Sequence, residues 1–174
     1  ELNLTLIKVM MHQSKDSTTL KMNKFPNLKK PSHLLATLFG VGKLPYGPGT
    51  WGSLATLIVW YFCNEFIQTS VEVLIAIILL ALLICYFSTN DHEEKDHKSI
   101  VIDEFAGMWL ALFLIPDITT AGLAFLLFRL FDIFKPFPIS YVDNNIKNAF
   151  GVVLDDLIAG LAAGYLTIFL YSFF

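Results

Sequence analysis

The chain has 174 residues, 55% of them hydrophobic and only 16% charged, with a net charge of −3. Soluble domains carry about 25% charged residues, so this balance excludes an ordinary soluble domain and points to an integral membrane protein. The length leaves room for one domain with about four or five spans of ~20 residues each, and no basic block suggests nucleic acid as a partner.

Residues 1–30 differ in character from the rest of the chain. Leu2 to Met11 is apolar but interrupted by Lys8, and His12 to Thr19 is polar. No small-residue cleavage site comes after a clean apolar core, so a mobile or interfacial tail is expected rather than a signal peptide. From Pro31 the chain reads as one membrane-embedded domain, 31–174. Leu34 to Phe39 is too short to span and suits an interfacial or re-entrant piece. Gly42 to Ser53 is dense with turn residues, reading Pro45-Tyr-Gly-Pro-Gly-Thr-Trp-Gly-Ser53 at its end.

Apolar runs lie at 54–67, 71–87, 100–115, 120–134 and 150–174, and each is expected to cross. Cys63 and Cys85 lie alone in two of them, without metal or redox spacing, and are read as packing residues. The charged loop Ser88 to Ser99 separates the second and third runs. Pro116-Asp117 ends the third, and Pro136 and Pro138 end the fourth, since proline lacks the amide and disfavours helix before it. Tyr141 to Ala149 reads as a polar connection. In the last run Gly160-x-x-x-Gly164 has the spacing that lets helices approach closely.

Placing the lysine-rich N-terminus in the cytoplasm puts 64–70, 116–120 and the C-terminus outside, and none of these contains Lys or Arg. The expected architecture is therefore an all-α, polytopic helical bundle with four to five membrane helices. This topology also gathers the chemistry. Asp103-Glu104 open one helix, Arg129 and Asp132 close the next, Asp155-Asp156 open the last, and the 45–53 loop precedes the first. All four elements reach the cytoplasmic face.

Five carboxylates brought together would repel one another, and Arg129 and Lys135 offset only part of that. A divalent cation would offset the rest, and oxygen ligands suit a hard ion such as Mg²⁺ or Mn²⁺. The four histidines do not pair at helical spacing, so zinc is not expected. Structural ion pairs such as Arg129–Asp132 are the plainer account of the same charges. The Gly/Pro loop, with Thr50 and Ser53 at a helix start, suits a phosphate. Acids for a metal, an anion loop and two cations on one face suggest phosphoryl chemistry on a lipid head group.

At these residues the chain resembles the phosphatidylglycerophosphatase A family. The stretches are Leu44-Pro-Tyr-Gly-Pro-Gly-Thr-Trp-Gly-Ser53, Asp96-His-Lys-Ser-Ile-Val-Ile-Asp-Glu-Phe-Ala-Gly-Met-Trp109, Phe128-Arg-Leu-Phe-Asp-Ile-Phe-Lys-Pro-Phe-Pro-Ile139 and Gly151-Val-Val-Leu-Asp-Asp-Leu-Ile-Ala-Gly160. The resemblance implies a multi-pass, Mg²⁺-dependent phosphatase of the bacterial inner membrane, facing the cytoplasm. It would remove the terminal phosphate of phosphatidylglycerophosphate to leave phosphatidylglycerol. Asp103, Asp155 and Asp156 are then the expected principal metal ligands, with Glu104 and Asp132 as further ligands or a general base. Thr50, Ser53, Arg129 and Lys135 would hold the phosphate, and Asp96 could position a water or a second metal. Two other readings are an ion or proton transporter using membrane carboxylates, and a CDP-alcohol phosphotransferase, whose spaced Asp-Gly-x-x-Ala-Arg signature is absent.

Overall fold

A computed structural model describes residues 25–63, 70–89 and 97–173. All regular structure among them is helical: α1 (Pro31–Ala36), α2 (Pro48–Cys63), α3 (Val71–Thr89), α4 (Ile102–Leu114), α5 (Ala121–Phe134), α6 (Ile139–Asn145) and α7 (Ala149–Tyr171). Short 3-10 turns lie at Val41–Lys43 and Ile118–Thr120.

Helix α4 is the axis of the bundle. It packs most extensively on α7 and also touches α2, α3 and α5. After Glu104 its sequence is apolar on every side, which suits a helix with neighbours all round. Met108, Trp109, Leu110, Ala111 and Leu112 are all buried. The α4–α7 contact is backbone on backbone. A Cβ added to Gly107 would overlap the Asp156 carbonyl, and one on Gly160 would overlap the Gly107 carbonyl. One on Gly164 would stand 2.7 Å from Leu114 Cδ1. The Gly160/Gly164 spacing is therefore used, and it brings the acid-bearing starts of α4 and α7 together.

Helix α3 carries the strongest sign of a lipid environment. Leu74, Ala81, Ile84 and Cys85 face the bundle, while Ile75, Leu79, Leu83 and Phe87 are exposed. Its most apolar window has a mean hydropathy of 2.7, yet only 28% of that window is buried. A soluble protein's core helix would bury that surface; lipid needs no such cover. At 19 and 23 residues, α3 and α7 are the described helices long and apolar enough to cross a membrane. A hydrocarbon core is ~30 Å thick. With 16, 13 and 14 residues, α2, α4 and α5 reach only about 20–24 Å at 1.5 Å per residue. Each of the five apolar runs forms a helix over most of its described residues, and two of these helices are long and apolar enough to cross.

Two local readings change. The Gly/Pro loop ends earlier than expected: α2 begins at Pro48, so Gly49 to Ser53 form its first turns. Proline suits a first helical position because its fixed φ is already helical and its missing amide is not needed there. The stretch 141–149, expected to be a polar connection, contains most of α6, which buries Ile139 and Val142. The stop after α5 is as expected, with Lys135 in the left-handed region (φ 42°) donating its amide to the Phe131 carbonyl. Near the N-terminal end, Phe25 is buried, with its ring centroid 4.7 Å from those of both His33 and His97. Cys63 and Cys85 are free thiols, half-buried and buried.

Candidate functional site

One cavity of ≈ 350 Å³ collects the charged ends of four helices. Asp103 and Glu104 enter from α4, Asp132 from α5, Asp143 from α6, and Asp155 and Asp156 from α7. Lys135 and Lys147 line it as well. Adjacent acids at the start of α4 are positioned by the burial of Ile102 and Ala106 on either side. Asp155 and Asp156 sit on the second turn of α7, whose first turn is capped by Asn148 accepting from the Gly151 amide at 2.9 Å.

Three carboxylates converge within this group. Asp103, Glu104 and Asp156 each bring an oxygen within 4.8 Å of the other two. Glu104 Oε2 is buried with no hydrogen-bond partner among the described residues. A buried carboxylate oxygen is costly to leave unpaired. A cation held by all three would give the Glu104 carboxylate a partner and offset the three charges together. The donors are all hard oxygens, so the set fits a divalent ion of the Mg²⁺ or Mn²⁺ type.

Asp155 takes a different partner. Lys135 Nζ donates to Asp155 Oδ2 at 2.6 Å and to Asp143 Oδ1 at 2.8 Å. Burial works against the ammonium charge, but the two carboxylates outweigh it and hold Lys135 above its ordinary value. The left-handed turn at Lys135 is what lets one side chain tie α5 to both α6 and α7.

Arg129 lies behind the acids rather than on the cavity wall. Its Nη1 pairs with Asp132, three residues on, and donates to Ser53 Oγ at 3.3 Å. Ser53 is fully buried and donates to the Gly49 carbonyl at 2.8 Å. A Cβ on Gly49 would overlap Glu104 Oε1 and stand 3.2 Å from Arg129 Nη1. Glycine at 49 is thus what lets α2 close on Glu104 and Arg129. Thr50 occupies the same turn, half-buried and off the cavity wall. Asp96 lies outside the described residues.

Asp143 and Lys147 are absent from the sequence-based expectation, because 141–149 reads as a connection. Ile139, Val142 and Ile146 recur at helical spacing, and that face, buried or half-buried, is the available signal.

The family model for phosphatidylglycerophosphatase A matches residues 34–171. A phosphatidylglycerophosphatase A of Haemophilus influenzae is 40% identical over 141 residues, covering 79% of this chain and 86% of that protein. One of Escherichia coli K12 is 37% identical over 160 residues, covering 89% of each. A putative phosphatidylinositol-3-phosphatase of Bacteroides thetaiotaomicron is 34% identical over 147 residues, covering 77% and 91%. No solved structure matches.

Proposed function

The chain belongs to the phosphatidylglycerophosphatase A family, and from that premise we infer how its residues carry out hydrolysis of phosphatidylglycerophosphate to phosphatidylglycerol and phosphate. The observation that carries the reading is the convergence of Asp103, Glu104 and Asp156 on one cavity, with Glu104 Oε2 buried and unpartnered.

Those three residues would hold Mg²⁺, with Asp155 beside them restrained by Lys135. The ion, when bound, neutralises charge on the phosphoryl oxygens and favours a nucleophile at neutral pH. The chain's own groups do the rest. Lys135, fixed between Asp143 and Asp155, faces the terminal phosphate. Arg129 adds positive charge from behind, held by Ser53 and the first turns of α2, which Thr50 helps to form. Asp132, on the cavity wall and paired to Arg129, takes the proton from the attacking water. The bond from phosphorus to the glycerol oxygen breaks, and that oxygen regains a proton from the open side of the cavity. Asp96, just before the start of α4 in sequence, is a further candidate for ordering water.

Two long apolar helices support a place in the membrane. We further propose that α2, α4 and α5 complete a five-pass bundle in the bacterial inner membrane. The acid cavity then faces the cytoplasm, where the Lys and Arg residues lie. The acids gather at one end of the bundle, whereas a transport path would place them through its depth.

Phosphate release from phosphatidylglycerophosphate in detergent micelles tests this reading. Release should require Mg²⁺, stop with chelator, and be lost in Asp103→Asn. Release unaffected by chelator would sink the metal assignment; no release from folded wild type would sink the reading itself.

A further inference from the structure

Six carboxylates and two lysines line the cavity, and the lysines are not equivalent. Lys135 is engaged by Asp143 and Asp155. Lys147 makes no ion pair with any described residue. Its side chain is exposed, and its backbone is held at the cavity edge. The link Ile146–Lys147–Asn148 is pinned at one end by the Ile146 amide, which donates to the Val142 carbonyl at 2.9 Å. At the other end Asn148 caps α7. Gly151 has no Cβ to push the Ile146 carbonyl away, so the link lies tight against the first turn of α7.

The proposed substrate carries two phosphates: the terminal monoester that is removed and the phosphodiester that stays in the product. The triad, Lys135 and Arg129 account for the first. The second is an anion brought against a strongly acidic wall, and it needs a cation of its own. We propose that Lys147 binds the phosphodiester of the lipid substrate and so selects head groups carrying both phosphates. This rests on the phosphatase reading above. Lys147 acts on binding rather than on the breaking bond, because the diester carries the same charge before and after reaction.

The test uses the full chain in uncharged detergent micelles with Mg²⁺. Lys147→Ala should raise KM for phosphatidylglycerophosphate about tenfold with kcat within about twofold, the pattern of lost uniform binding. Lys147→Arg should recover most of the affinity, and Lys147→Gln should behave as Lys147→Ala. Inhibition by phosphatidylglycerol, which keeps only the diester, should weaken by a similar factor, while inhibition by inorganic phosphate should not change. A fall in kcat at constant KM, an equal loss of both inhibitors, or unchanged KM would overturn the inference and leave the phosphatase standing. A wild type without turnover would overturn both.

Discussion

Glu104 is the residue at which burial and charge conflict most openly. One oxygen crowds Gly49 near Arg129, and the other is buried without a partner. Such a group persists where something else in the working protein satisfies it. Glu104→Gln keeps the shape and removes the charge. Its phosphatase activity should fall by more than the ~10–100-fold that losing an outer-shell metal partner costs. A second readout does not depend on turnover. Mg²⁺ at a hundred times its Kd should stabilise the wild type by about 2.7 kcal/mol, and Glu104→Gln should lose most of that thermal shift. A full Mg²⁺ shift in the variant would remove Glu104 from the ligand set. The Lys135 ammonium illustrates the opposite balance: its cost of burial is offset by two short carboxylate bonds, so it stays charged and fixed.

Helix α4 works through its glycine. At Gly107 the α7 backbone lies so close that the Asp156 carbonyl occupies the space a Cβ needs, and Phe128 Cε2 closes the other side at 2.9 Å. Gly107→Ala should therefore cost about 1–3 kcal/mol by overpacking, read as a lower unfolding midpoint in detergent. It should also lower activity in the molecules still folded, because relief requires moving Asp156 away from Asp103. Gly122 in α5 supplies the contrast. A Cβ there meets nothing within 4 Å. Gly122→Ala should leave activity intact and raise stability by up to about 1 kcal/mol through helix propensity. Equal effects at the two positions would mean that α4 and α7 do not need their close approach.

At the scale of the whole molecule, apolar side chains of α3 and α7 face outward, among them Leu79, Leu83, Tyr165 and Phe169. Hydrocarbon can cover that surface while the charged helix ends stay at one face. Three crossings, by α2, α3 and α4, would separate Lys43 from Thr119. In a variant lacking Cys63 and Cys85, a cysteine at Lys43 should react with an impermeant thiol reagent only from the cytoplasmic side. One at Thr119 should react only from the outer side. Reaction of both from one side would require one of these three helices to re-enter rather than cross.

Two helices suited to a membrane by length and hydropathy, the five apolar segments and most of the acidic residues were legible from the sequence alone, because hydropathy and the cost of charge in lipid act on each stretch by itself. The proline stops after α5 were legible for the same reason, being local backbone chemistry. The start of α2 at Pro48 and the existence of α6 were harder to read, since turn-rich and polar stretches become helical only when packing rewards one face, here Ile139 and Val142. Which acid meets which partner was decided by tertiary structure. Asp155 and Asp156 are neighbours in sequence, yet successive side chains of a helix point about 100° apart. That rotation, with α4 clasped to α7 through Gly107 and Gly160, turns Asp156 toward Asp103 and Glu104 and Asp155 toward Lys135.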